Sequence, residues 1–192
     1  MENAKCNSLY AIAFFLVTVF AAKPANACVV MADLKPEDIK YASVVVVGRI
    51  VDYKIVRPQD EVSKHWRKAN GQKDILSDYA RFNVVVEEVL AGQSPKTISV
   101  TWDNSTFDEP RRMGKQAYLI ALRQPGSELP PLRGPSATIL PSQEPDLFTV
   151  LQASCAPAFI FDASSATAKK IQHMLKQSET NRSGIKTKIE EK

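Results

Sequence analysis

Runs of β-branched residues, separated by stretches rich in proline, glycine and charge, are the feature that most limits how this 192-residue chain can fold. The strongest run is SVVVVGRIVDYKIV at residues 43–56. It is too apolar for a strand with one face in water, so it predicts a central strand covered on both sides. Gly48 interrupts the run and indicates a β-bulge or a sharp bend.

Four further segments complete the predicted set of strands. The segment TISVTW alternates strictly, which places Ile98, Val100 and Trp102 on one buried face. Glycine or proline lies close to several of the other boundaries, where strands commonly end. The later predicted strands therefore cover residues 80–92, 97–102, 115–122 and 147–155.

Two helices are predicted beside these strands. Residues 32–42 contain Pro36 followed by acidic residues, a pattern typical of a first helical turn. Near the C-terminus, Ala168, Ile171 and Leu175 recur at helical spacing and form one apolar stripe. The sequence therefore predicts a short N-terminal helix and a closing helix.

The connections between the strands include two long ones. Residues 57–79 are polar and charged, and residues 124–147 are rich in proline, so both are expected to be mobile surface loops. Five strands with wide loops and two small helices favour a mainly β fold. The predicted architecture is a five-stranded, OB-type antiparallel barrel with a short N-terminal helix and a C-terminal helix.

The first 27 residues have the pattern of a secretory signal peptide. Lys5 supplies a basic start, residues 9–22 form an apolar run, and Ala25 and Ala27 supply the small residues needed for cleavage. A membrane-spanning helix needs about 20 apolar residues, so this run favours cleavage over a retained anchor, which is the alternative. We therefore expect a periplasmic or secreted protein with no membrane span in its mature chain.

Two cysteines remain after the predicted cleavage. Cys6 is lost with the signal peptide, which leaves Cys28 and Cys155. Exported proteins meet an oxidising environment, so a disulfide between the two is the default expectation and two unpaired thiols are the alternative. The predicted domain covers residues 28–177, and residues 178–192 have the composition of a disordered basic tail.

Charge and motif content argue against nucleic-acid binding and catalysis. The formal charge of the whole chain is only +4, and positive charge is concentrated in the tail rather than in the predicted barrel. His65 lies in a cationic loop, His173 is expected to face solvent, and Glu87 and Glu88 alternate across a strand. Motifs for nucleophilic catalysis, zinc proteolysis or phosphate binding are not found. We therefore expect no enzyme activity, no catalytic residues, no metal and no cofactor.

The order of the segments resembles that of the netrin-like module, the OB-type barrel shared with tissue inhibitors of metalloproteinases, in its small bacterial form. YASVVVVGRIV resembles the first strand of that family, FNVVVEEVLAG resembles a later strand, and MGKQAYLIAL resembles the strand with the G..YL pattern. Cys28 follows the signal directly, and Cys155 precedes the last helix. The chain departs from the common Cys-x-Cys start, since Cys28 is followed by Val29 and Val30.

The resemblance leaves three roles open for Cys28. In the first, Cys28 is one half of a disulfide and has no other role. In the second, it forms the same disulfide and its free α-amino group binds the zinc of a target protease. In the third, it carries a lipid anchor. A free α-amino group has a pKa of about 7.7–8.0 and so can lose its proton near neutral pH. Lipoprotein processing prefers leucine at the position that Ala25 occupies.

These observations predict an exported, non-enzymatic binding module of the netrin-like type. Its partner is expected to be a protein, and an exported protease is one candidate. Cys28, Val29 and Val30 are the predicted binding residues, and Cys28 with Cys155 the predicted disulfide. Inhibition of a metalloproteinase and a structural role as an envelope lipoprotein are the alternatives. The sequence makes no prediction of the oligomeric state.

Overall fold

The computed structural model describes residues 31–57, 78–102, 110–133, 142 and 144–190, with the side chains of the last helix described up to residue 178. The predicted signal peptide and the predicted binding residues Cys28, Val29 and Val30 lie outside this part of the chain. Most of the predicted loop 57–79, with His65, also lies outside it.

Six strands form one sheet that closes on itself. They are β1 (Val44–Val56), β2 (Tyr79–Ala91), β3 (Thr97–Trp102), β4 (Ala117–Arg123), β5 (Phe148–Val150) and β6 (Ile160–Asp162). The strand order is β1-β2-β3-β5-β4-β6, and β1 also pairs with β4. The pairing of β3 with β5 is parallel, and the other pairings are antiparallel. Strands β1 to β5 therefore form a closed barrel of the OB type, as the sequence predicts.

The first part of β1, from Val44 to Gly48, is buried on both of its faces, as its composition predicts, whereas the later part of the strand has exposed residues. Val44 and Val46 point into the barrel, whereas Val45 packs on the outside against the second apolar cluster. The register of β1 against β2 shifts between Val47 and Gly48, which is the irregularity that the glycine indicates. A Cβ atom at Gly48 would lie 2.4 Å from the carbonyl oxygen of Val85, so only glycine allows the two strands to approach this closely.

Two apolar cores lie on opposite sides of the barrel wall. The barrel interior contains Phe82, Ile120 and the predicted buried face of β3, Ile98, Val100 and Trp102. The second core lies outside the wall, where the start of the closing helix α1 (Ala166–Glu190) joins residues of β1 and β4 in one apolar cluster and contacts β2 and β6. This core comprises Ile39, Val45, Leu119, Ala121, Leu151, Phe159, Ala168 and Ile171.

The predicted strand at residues 147–155 is wrong in its extent. Only Phe148–Val150 form a strand. The chain that follows reverses direction and forms a further strand, β6, which the sequence analysis missed. The Leu151 N–H donates to the Ala121 carbonyl at 2.8 Å, and the Phe159 N–H donates to the Leu151 carbonyl at 2.9 Å. The segment therefore stays attached to β4 without continuing the ladder.

The helices also differ from the predicted ones. The segment predicted as a short N-terminal helix contains a 3-10 helix, Pro36–Tyr41. Helix α1 continues to Glu190, although composition predicts disorder from residue 178. No proline interrupts residues 178–190, and glutamate, arginine and lysine in this segment are good helix formers, so a helix held by packing at its start can continue.

The described parts of the connection between β4 and β5 are attached to the barrel. Tyr79 donates its hydroxyl hydrogen to Glu144 Oε1 at 3.0 Å, and Arg81 Nη1 lies 3.3 Å from Glu144 Oε2. Glu144 is buried, and charged side chains are rarely buried without a partner. This carboxylate therefore fixes the chain just before β5 against the outside of β2.

Candidate functional site

Cys155 lies in a tight turn at one end of the barrel. Its side chain is buried, and its backbone has φ of +65°, a conformation that non-glycine residues rarely adopt. The turn is closed by the Ala156 N–H, which donates to the Ala153 carbonyl at 3.0 Å. A residue in this conformation persists where the surrounding contacts hold it in place.

Gln152 supplies those contacts by joining the turn to the barrel core. The Trp102 indole Nε1–H donates to Gln152 Oε1 at 3.1 Å, and Gln152 Nε2 donates to the Ala156 carbonyl at 2.7 Å. Trp102 ends β3 with its ring in the barrel interior, so its position is set by the core. The Cys155 turn is therefore tied to the core of the barrel.

The N-terminal segment is attached to this turn. The Ala32 N–H donates to the Cys155 carbonyl at 2.7 Å. Met31, the first described residue, is 50% exposed, which is high for a large apolar side chain. Cys28 precedes Ala32 by four residues in sequence, and it lies outside the described part of the chain.

A buried ion pair attaches the same segment at a second point. Arg133 Nη2 donates to both carboxylate oxygens of Asp38, at 2.8 Å and 2.6 Å. The two side chains are 14% and 5% exposed, and Asp38 belongs to the 3-10 helix that follows the N-terminal segment. Leu132, next to this pair, is 50% exposed. Residues 31–41 are thus held between the Cys155 turn and the connection that follows β4.

The candidate acid–base residues that the structure describes lie on the surface. Within the described ranges, no group of three or more His, Cys, Asp or Glu residues could hold a metal ion. His173 is exposed on α1, as predicted, and Glu87 and Glu88 are both exposed on β2.

The Asp162 pKa lies below its ordinary 3.8, because the Ser164 hydroxyl and backbone N–H hydrogen-bond to its carboxylate. No described helix is long and apolar enough to cross a membrane.

Three residues that shape this region were missed by the sequence analysis. Asp38 was assigned only to a helix start, while Gln152 and Arg133 were parts of a predicted strand and a predicted loop. Asp38 and Arg133 are 95 positions apart in sequence, so no local pattern pairs them. The sequence offers one weak signal that the proline-rich loop contacts the rest of the protein: in Leu132–Arg133, a charged residue follows an apolar one.

Comparison of the chain with models of protein families, with curated proteins and with solved structures found no significant match. The assignment as an OB-type barrel therefore depends on the strand order and pairing described above. The netrin-like resemblance stays a hypothesis that depends on the sequence motifs.

Proposed function

We propose that this protein is an exported, non-enzymatic binding module of the netrin-like type that recognises another protein. The binding surface is its N-terminal edge, defined as Cys28, Val29, Val30 and Met31. The observation that carries the proposal is the hydrogen bond from the Ala32 N–H to the Cys155 carbonyl, because it holds the chain next to this edge against the Cys155 turn. A segment that begins at an attached residue has less conformational entropy to lose when a partner binds.

A disulfide between Cys28 and Cys155 is part of the proposal. The hydrogen bond at Ala32 brings the chain just after Cys28 alongside Cys155. In the chain-entropy model, a crosslink that closes more than 100 residues contributes about 4–5 kcal/mol to stability.

The chemistry of the edge favours binding to an apolar protein surface. Val29, Val30 and Met31 are three consecutive apolar residues, and Met31 is exposed. The buried centre of a protein interface is more apolar than its rim, and methionine is enriched in interfaces relative to the rest of the surface. We propose binding rather than catalysis because the sequence carries no motif for nucleophilic catalysis, zinc proteolysis or phosphate binding.

Crosslinking and capture from the native envelope or medium tests this proposal. The parent protein is compared with a Met31→Asp variant and with a Val89→Asp control, since Val89 is exposed on β2. We expect one protein to be captured by the parent and by the Val89→Asp control, and to be lost with Met31→Asp. Capture that is equal with all three baits would refute the N-terminal edge as the binding surface.

One further variant separates the alternatives. Adding one alanine before Cys28 moves the α-amino group away from its position while leaving the apolar residues in place. Loss of capture together with loss of metalloproteinase inhibition would assign the amine to a target zinc ion. A diacylglyceryl group on Cys28 would instead identify a membrane-anchored lipoprotein and would exclude the disulfide.

A further inference from the structure

Gln152 lies between the barrel core and the Cys155 turn, and its side chain uses both halves of its amide. Its Oε1 accepts the indole Nε1–H of Trp102 at 3.1 Å, and its Nε2 donates to the Ala156 carbonyl at 2.7 Å. An indole N–H can only donate and a backbone carbonyl can only accept, so these partners require an acceptor and a donor on one side chain. Glutamate would lack the donor, and methionine would lack the donor and offer only a weak acceptor.

The peptide unit between Cys155 and Ala156 connects this contact to the N-terminal segment. It is a trans unit and therefore planar, so its N–H and its C=O point in opposite directions. The Ala156 N–H points into the turn, where it donates to the Ala153 carbonyl at 3.0 Å. The Cys155 carbonyl therefore points out of the turn, where it accepts the Ala32 N–H at 2.7 Å. The direction of this carbonyl thus depends on how Ala156 is held.

The Gln152 side chain is what holds Ala156 against the core. Ala156 is only 3% exposed, so its carbonyl has little access to water and needs a donor from the protein. Cys155 has a left-handed backbone, with φ of +65°, which non-glycine residues keep only where neighbouring contacts require it. Loss of the Gln152 donor would therefore allow the turn to relax and the Cys155 carbonyl to rotate away from Ala32.

The other attachment of the N-terminal segment lies too far along the chain to do the same. The ion pair of Asp38 with Arg133 holds the segment six residues after Ala32. Six residues of extended chain reach up to about 20 Å, so this pair leaves the start of the segment wide freedom. Met31 directly precedes Ala32, and its orientation is therefore set at the Cys155 turn.

We propose that Gln152 is the positioning residue of the N-terminal edge. Its amide carries the position of Trp102, which the barrel core fixes, to the Cys155 carbonyl. That carbonyl holds Ala32, so that Met31 is presented to a partner in one orientation. An edge that is already ordered loses less conformational entropy on binding, so Gln152 strengthens binding without touching the partner. This inference rests on the proposed function, because an ordered edge matters only where a partner binds.

Hydrogen exchange of the Ala32 amide, followed by NMR and expressed as a protection factor, tests the positioning role without any partner. Gln152→Glu keeps the size of the side chain and the acceptor for the indole, but it replaces the donor with a carboxylate oxygen. We expect it to lower the protection of Ala32 about tenfold relative to the amides of β1. Gln116→Glu is the matched control, because Gln116 Nε2 donates to the Tyr118 hydroxyl at 2.8 Å in the loop that leads into β4. It is expected to leave the protection of Ala32 unchanged.

Acid distinguishes a positioning role from general damage to the fold. The carboxyl group introduced by Gln152→Glu becomes protonated as the pH falls from about 7 to about 4, and its O–H then supplies the missing donor. The protection of Ala32 should therefore recover in Gln152→Glu but not in Gln152→Met, which gains no donor. If circular dichroism shows that Gln152→Glu is unfolded at neutral pH, Gln152→Met takes its place in the comparison with the parent.

The results decide between this proposal and the proposed function separately. Equal protection of Ala32 in the parent and in Gln152→Glu overturns the positioning role, and so does protection that does not recover in acid. As baits for crosslinking in the native envelope or medium, the parent and Gln116→Glu should capture the partner, and Gln152→Glu should capture less of it. Equal capture by all three baits also overturns the proposal. If the parent captures no protein, the proposed function fails, whereas the exchange of Ala32 still decides whether Gln152 positions the edge.

Discussion

The ion pair between Asp38 and Arg133 gives a quantitative test of how the N-terminal segment is held. Replacement of Asp38 by asparagine keeps the shape of the side chain and removes its charge. The Arg133 guanidinium then remains buried without a counter-ion, and its Nε already has no hydrogen-bond partner among the described residues. Leaving one member of a buried pair uncompensated typically costs about 3–5 kcal/mol.

The structure favours the lower end of that range. Arg133 is 14% exposed, so water can reach part of the guanidinium, and we expect Asp38→Asn to cost about 3 kcal/mol. For a domain of this size, each 1 kcal/mol lowers the melting temperature by about 2–4 °C. Thermal unfolding followed by circular dichroism should therefore show a midpoint lower by roughly 6–12 °C.

The exposed ion pair of the same protein supplies the matched control. Glu87→Gln makes the same carboxylate-to-amide change in the pair with Arg49, whose side chains are 63% and 40% exposed. Exposed pairs contribute about 0–1 kcal/mol, so this variant should unfold close to the parent. Equal melting temperatures for Asp38→Asn and Glu87→Gln would refute the reasoning, because they would show that burial of the Asp38 pair has no energetic consequence.

Three further predictions concern the barrel, the Asp162 carboxyl at the end of β6, and the disulfide. Gly48→Ala brings a Cβ atom to 2.4 Å from the Val85 carbonyl oxygen, and urea denaturation should show a loss of about 1–3 kcal/mol. The Asp162 carboxyl should titrate below 3.8 by NMR, because hydrogen bonds from Ser164 favour its charged form. The charged Asp162 carboxylate therefore stabilises the folded protein at pH values above its unfolded-state pKa, and this stabilisation is lost as the pH falls through the lower pKa of the folded state. Asp162→Asn should remove this contribution to the pH dependence of the free energy of unfolding. Cys155→Ser should cost about 4–5 kcal/mol, whereas an unchanged unfolding midpoint would contradict the long-range bridge.

Much of the barrel could be predicted because its strands are marked by residue type and period. The run at residues 43–56 is apolar at successive positions, and the structure places Val44 and Val46 inside the barrel with Val45 outside. The alternation of β3 likewise predicts its interior face correctly. In both segments the signal is local, since a period of two or an unbroken apolar run is set by the faces that a single strand presents.

The end of the barrel could not be predicted in the same way. The apolar run at residues 147–155 has the composition of one strand, but β3 and β4 pair with it only at Phe148–Val150. Its length in the sheet is set by neighbours far away in sequence rather than by its own pattern. The Trp102–Gln152 hydrogen bond, which fixes the Cys155 turn, could not be predicted from a local pattern either, because it joins residues 50 positions apart.

Intact mass and non-reducing peptide mapping of the exported protein test the central claim most directly. The account predicts a chain that begins at Cys28 with a free α-amino group. It also predicts one crosslinked peptide that joins Cys28 to Cys155, and a mass lower by two hydrogen atoms than that of the reduced chain. A lipid on Cys28, a retained signal segment or two free thiols would contradict the claim that a bridged N-terminal edge forms the binding surface.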